Sequence, residues 1–381
     1  MTDPDQPAGQ PQAEQSHNDK HNKNGKKRNR SKVARDPVIV AGNAIFSVLV
    51  VIALAALIGF HYGNVWLNNA GPLQQDTLVM VPRGSGTGDI AEALYKSGAI
   101  DSTRFFKIAV VVKKARGKLQ AGEYRVPARA NVASIIDMMM AGKVVEHSIT
   151  IPEGLTSEQI VQRLMDEELL TGNISQIPAE GTLLPETYKI VRGTSRESIL
   201  ARMEEAQQKL VDNLWANRAE GTPVRTPREL VTLASIVEKE TALAAERPRV
   251  AAVFVNRLKK GIRLQSDPTI IYGLVGGKGS LGRPILRSEI SKATPYNTYV
   301  IAALPPGPIG NPGRAALEAV ARPLSADDLF FVADGTGGHV FAKTYEEHQR
   351  NVARWRDIEK ARAVPPADAI PPEQKLDAEQ Q

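Results

Sequence analysis

Apolar residues follow three patterns along this chain. The first is an unbroken run, Val38 to Phe60, without a charged residue. As a helix it spans roughly 33 Å, enough for a bilayer core of ~30 Å, so we expect a transmembrane helix over residues 38–60. Tyr62 and Trp66 follow where interfacial aromatics belong. The second pattern is a short alternating run, a Pro-x-Gly turn and then helical spacing. It occurs twice: Val79–Gly84 leads into Ile90, Ala91 and Leu94, and Ile149–Gly154 leads into Ile160, Val161 and Leu164. Each copy predicts a strand, a turn and an amphipathic helix. A strand at Ala121–Val126 and a helix at Val132–Met140 are expected between them. The third pattern is the 3.6-residue period of longer helices, over Glu197–Asn217, Thr226–Thr241 and Arg247–Gly261.

The helix after Thr226 carries the most chemical information. Thr226 can cap it, Pro227 suits its first position, and Glu229 completes a T-x-x-E capping box. At 100° per residue, Leu230, Val231, Leu233, Ala234 and Val237 form one apolar arc with Glu238 inside it. Glu240 falls at the edge of the arc, and Arg228, Ser235 and Lys239 on the far side. A carboxylate on a core-facing arc is costly unless it is paired or neutralised. Glu238 is therefore expected to be the more desolvated of the two. The next helix, ending at a Gly261 C-cap, aims Arg257 along its own apolar face with Val250, Val253, Phe254 and Leu258. Opposite charges on two facing arcs make either a structural salt bridge or a site.

Downstream, Leu264–Gly273, Thr294–Tyr299 and Leu304–Gly313 are rich in Pro, Gly, Asn and Tyr and are expected to be rigid loops. Flat aromatic faces beside amides and hydroxyls suit a sugar site, and also suit ordinary connectors. The Pro185-Glu186-Thr-Tyr cluster is expected to be a shaped loop, or a helix start capped by Glu186. Leu329–Phe341 predicts a β-hairpin carrying His339. Gly84–Gly88 lacks the Lys-Ser/Thr of a phosphate loop.

Composition narrows the picture. There is no cysteine, hence no disulfide, thiolate nucleophile or Cys-type zinc site. Residues 1–36 hold eight Lys/Arg against five acids, half of the net +6, and almost no large apolar residue. They read as a disordered basic tail, as do residues 363–381 without the charge bias. A basic tail beside a nearly neutral body argues against nucleic acid as partner. Lys20–Arg35 precedes the apolar run and no Lys or Arg follows it until Arg83. The positive-inside rule then puts the N-terminus in the cytoplasm and the rest outside a cytoplasmic membrane.

The segments Leu233–Thr241, Val253–Leu258, Leu264–Gly273, Tyr296–Tyr299 and Leu304–Ile309 resemble the endolytic murein transglycosylases, the YceG-like family, and the likeness runs over about residues 40–360. Residues 77–150 resemble a LysM-like module, either a glycan binder or a spacer, and 151–362 the family's catalytic domain, giving an α+β fold class. The resemblance implies a lyase that cuts the β-1,4 bond between N-acetylmuramic acid and N-acetylglucosamine within nascent glycan strands. It implies 1,6-anhydro ends, no cofactor or metal, and peptidoglycan synthases as partners. It assigns the catalytic carboxyl to Glu238. Arg257, Gln265, Asp267, Tyr296, Asn297 and Glu186 are expected to bind glycan, with Glu240, Asn256, Tyr272 and Thr298 supporting. Glu186 stands where some relatives have Asp. The rival readings are a hydrolase using Asp267 as second carboxylate and a tethered, non-catalytic glycan-binding scaffold.

Overall fold

The computed structural model describes residues 37–363, so both expected tails lie outside it apart from Ala363. The charge-free run is helical, but the helix is longer than expected. α1 runs Pro37–Asn68 without a break and carries Tyr62 and Trp66 on its last turns. Its 32 residues reach roughly 48 Å, and none is buried by protein. By length and hydropathy it suits a membrane span.

The remainder, from Ala70, forms a separate unit of mixed α+β structure. It begins with β1 (Thr77–Val81), α2 (Thr87–Lys96), α3 (Thr103–Val112), β2 (Gly122–Val126) and α4 (Val132–Met140). β1 and β2 pair antiparallel, Thr77 opposite Val126 and Val81 opposite Gly122. Alternation turns Val79 and Val81 inward, and Ile90, Leu94, Phe106 and Ile135 are buried in the same segment. The second copy of the strand-turn-helix pattern is β3 (Glu146–Thr150) and α5 (Ser157–Met165). β3 pairs with β5 (Thr187–Val191), so Glu186 precedes a strand rather than a helix. Two residues each of β4 (Leu170–Thr171) and β6 (Thr194–Ser195) pair in parallel, and α6 spans Arg196–Ala216. Glu123 on β2 meets His147 of β3 at 2.7 Å and Arg192 at 3.5 Å, tying the first segment to the second.

The helical core follows. α7 is Pro227–Glu240 and α8 is Arg247–Lys259. Thr226 accepts from the Glu229 N–H at 3.1 Å as expected, but the Glu229 carboxylate reaches Arg225 N–H, one residue beyond a capping box. Gly261, at φ +67°, ends α8 in the left-handed region, and Ile262 N–H returns to Arg257 O. The arc model of α7 is too simple. Leu230 to Val237 are all buried, Ser235 included, because the 305–309 segment covers the supposed far side and Ile309 N–H donates to Ser235 Oγ.

Leu264–Gly273 is not only a loop: α9 occupies Asp267–Val275, with Pro268 in its first turn, where proline is tolerated. α10 (Arg287–Ile290), α11 (Arg314–Ala321), the expected hairpin β7 (Phe330–Ala333) and β8 (His339–Ala342), and α12 (Tyr345–Ala363) complete the fold. α11 packs on α7 and α8, burying Ala316, Leu317 and Val320.

Candidate active site

The last turn of α7 delivers two carboxylates two residues apart into different surroundings. Glu238 is 5 % exposed at its side chain and faces α11. Its Oε2 accepts the Gly313 N–H at 2.8 Å, at the N-cap of α11, where the helix dipole favours negative charge. Its Oε1 accepts from Arg247 at 3.3 Å, and Arg247 also lies 3.6 Å from Glu153. Burial raises its pKa, the Gly313 N–H opposing. Nearby, Glu186 pairs with Arg314 at 3.0 Å. The partner of Glu238 is therefore Arg247 rather than the Arg257 that the two apolar arcs suggested.

Glu240 enters a cavity of about 410 Å³ with Arg257, Gln265, Asp267, Tyr299 and Phe331 on its walls. Ser266 Oγ donates to its Oε1 at 2.5 Å. Burial is the largest influence and pushes its pKa up to about 7; the Ser266 hydrogen bond opposes this and the Asp267 charge adds to it. The expected order of desolvation is thus reversed. The helical wheel counted only neighbours on α7, whereas the 264–267 segment and the β7–β8 hairpin close over the edge where Glu240 sits.

The cavity walls are braced from behind. Arg257 is 8 % exposed and donates to the carbonyls of Leu329 at 2.6 Å and Leu264 at 2.7 Å, and more weakly to Gln265 Oε1 at 3.4 Å. Burial lowers its pKa, with Tyr299 and Glu240 opposing. Gln265 adopts φ +54°, costly for a non-glycine residue, and is pinned there by its N–H to Thr298 O. Thr298 also accepts from Ser266 N–H at 2.9 Å and shares a hydroxyl contact with Thr269. Tyr299 donates to Asp267 Oδ1 at 2.6 Å, and burial drives its phenol upward. His339 is held by Glu246 at 2.7 Å and lowers the Glu240 pKa by its charge.

Among the expected glycan residues, Arg257, Gln265 and Asp267 meet around Glu240. Asn297 does not face a ligand: it is 1 % exposed, its amide nitrogen donates to the carbonyls of Ile290 and Lys292, and its oxygen accepts from Tyr299 N–H. Asn256 likewise holds the carbonyls of Ala326 and Asp328, and Thr298 is a buried brace. Tyr296 and Tyr272 meet at a 57° tilt with ring centres 4.7 Å apart and do not line the Glu240 cavity. Ser266, Tyr299 and Glu246 were not among the expected site residues, and His339 was expected only as a hairpin residue beside turn chemistry. Ser266 and Tyr299 stand inside the same two polar motifs, which is the signal that was present. A larger cavity of about 680 Å³, beside Gly181, Gln207 and Arg228, contains none of these residues. The larger cavity also holds a carboxyl raised by burial, Glu180, but the smaller one gathers Arg257, Gln265, Asp267 and Tyr299 around its carboxyl and is the candidate site. Among the described residues no acidic or histidine cluster suits a metal ion.

The model of the YceG-like family matches residues 79–354, from β1 into α12. The chain belongs to the YceG-like family. Both carboxylates of α7 and every wall of the cavity lie within the family match. A protein of Bacillus subtilis named endolytic murein transglycosylase is 31 % identical over 76 % of this chain and 88 % of its own length. A Streptococcus pneumoniae protein of the same name is 29 % identical over 81 % of this chain, a match spanning 64 % of that longer protein. The crystal structure of a putative YceG-like protein of Listeria monocytogenes covers 73 % of this chain at 31 % identity, with a TM-score of 0.44.

Proposed function

We propose that this YceG-like chain is a membrane-anchored lytic transglycosylase of peptidoglycan, with Glu240 as its single acid and base. The observation that carries the assignment is a carboxyl of pKa about 7 in a walled cavity beside Asp267, Tyr299 and Gln265. A general acid for glycoside cleavage must hold its proton near neutral pH. Glu240 protonates the glycosidic oxygen between N-acetylmuramic acid and N-acetylglucosamine as the C1–O bond breaks. The muramic C6 hydroxyl then closes on C1, aided by the neighbouring N-acetyl group, and returns its proton to the Glu240 carboxylate. The product is a 1,6-anhydro end, and no water, metal or cofactor is consumed. The endolytic murein transglycosylase names of the relatives support this reaction class.

In the same reading α1 spans the cytoplasmic membrane, Lys20–Arg35 stays in the cytoplasm and the unit from Ala70 acts outside on nascent strands beside the synthases. The β-α-α-β order of β1 to β2 supports a LysM-like role in holding or spacing the glycan.

Two other roles are separated by one experiment. Glu238, the carboxyl implied by family resemblance, is in this reading a structural group that binds the Gly313 N–H and Arg247. Asp267 in the same cavity would serve as second carboxylate in a hydrolase. Uncrosslinked glycan is digested with wild type, Glu240→Gln and Glu238→Gln, and the products are weighed. The proposal expects anhydro ends, one water lighter than reducing ends, with Glu240→Gln inactive though folded. Full activity of Glu240→Gln beside an inactive, normally melting Glu238→Gln transfers the role to Glu238. Reducing ends alone would sink the lyase.

A further inference from the structure

We infer that the outward face of α3 is a docking surface for an anionic lipid bilayer. α3 is two-sided. Phe106, Ala109 and Val110 are buried against its own module, while Ile108 is 58 %, Val111 58 % and Val112 60 % exposed. Phe105 adds an exposed ring on the same ten-residue helix. Residues 102–122 carry six Lys/Arg and no Asp or Glu. Lys113 is held by Asp137 at 2.6 Å, but Arg104, Lys107, Lys114, Arg116 and Lys118 are exposed.

Apolar side chains at the centre of a helix face, with cations at its ends and margins, make the pattern of a helix lying in a membrane interface. The apolar groups enter the acyl boundary and the long cationic stems keep their charges at headgroup level. The excess of cations, with Asp101 and Asp137 as nearby acids, selects an anionic surface over a neutral one. The bilayer is supplied by the same chain on the reading that α1 spans it, and this inference rests on that reading. Only residues 69–76 separate the end of α1 from β1 in sequence. Docking of α3 would fix the orientation of the 70–363 unit on the bilayer, and so the height at which its cavity meets a glycan strand.

The chain has no cysteine, so single labels are simple to place. The full chain is inserted into nanodiscs of phosphatidylcholine alone or mixed with phosphatidylglycerol, and co-elution with the disc first establishes that α1 is anchored. A polarity-sensitive dye is attached at Ile108→Cys or, as control, at Leu286→Cys, which is 53 % exposed elsewhere. Quenching by bromolipid is then read. Docking predicts strong quenching at position 108 in anionic discs, little at 286, and weakening with salt. Each cation removed is expected to lower the docked population about five-fold at low salt, so Arg104→Glu with Lys107→Glu abolishes the signal. Quenching at 108 that is absent, matches that at 286, or is the same in neutral discs overturns the inference. A failure to co-elute instead strikes the membrane-span reading itself.

Discussion

Glu240→Gln should stabilise the protein at alkaline pH and not at acid pH. The folded carboxyl titrates at about 7, raised by burial from the ordinary 4.5. A carboxyl with a raised pKa keeps a proton in the folded state that the unfolded chain has released. Between those two values stability therefore falls as pH rises, and the cost is complete above the folded pKa. At 1.36 kcal/mol per pKa unit this cost is about 3 kcal/mol at about pH 8 and near zero at about pH 4. Glutamine keeps the volume and an acceptor for Ser266 Oγ but carries no charge. Urea unfolding of residues 70–381 at several pH values should show the variant about 3 kcal/mol more stable at about pH 8 and equal to wild type at about pH 4. Other titrating groups act in both proteins and cancel in the difference. A difference that is flat with pH would mean a carboxyl unshifted by folding, and a variant less stable at alkaline pH a site that stabilises carboxylate. Glu240 could then hold no proton at neutral pH, and its role as general acid would fall.

Asn297→Ala removes a buried amide that binds the Ile290 and Lys292 carbonyls and the Tyr299 N–H. It should cost about 3 kcal/mol by urea midpoint and loosen the cavity wall. Gly181→Ala places a Cβ 2.6 Å from Pro308 and 2.7 Å from Val231 at φ +79°, and should cost about 2 kcal/mol or more in the same assay. Arg247→Met leaves the Glu238 carboxylate without its cation against α11, a loss of about 3 kcal/mol that should shrink as acid protonates the carboxyl. Tyr299→Phe deletes the hydroxyl on Asp267 and should lower glycan turnover about ten-fold with little change in melting temperature.

What could be read from the sequence was local. The Thr226 cap, Pro227, the Gly261 stop and the β7–β8 hairpin depend on neighbours a few residues away, and each is where the pattern placed it. Arg257, Gln265 and Asp267, expected to bind glycan, meet around one cavity. The ranking of the two carboxylates was not legible. It depends on Ser266, 26 residues from Glu240, and on Gly313, 75 residues from Glu238. Asn297, expected to bind glycan, and Asn256, expected to support, both hold backbone carbonyls. An amide in a turn-rich motif reads alike whether it faces solvent or ties backbone carbonyls together. α9 was missed because Pro268 marks a loop and a first helical turn equally well.

The two carboxylates of α7 also explain why one helix can serve both the fold and the chemistry. Glu238 is raised by burial and by the charge of Glu153, but an amide N–H at a helix N-terminus and Arg247 work against that rise. Glu240 is offered one hydroxyl, a nearby like charge on Asp267 and deeper burial, and so favours its proton. Environment, not residue type, divides the roles. Because Leu230 to Val237 are buried on every side, the helix cannot rotate to exchange the two positions. The Gly313 N–H on Glu238 ties α11 to α7, the Arg247 ion pair ties α8 to it, and together they hold the last turn where Glu240 enters the cavity. A variant that frees α11 should therefore disturb Glu240 without touching it.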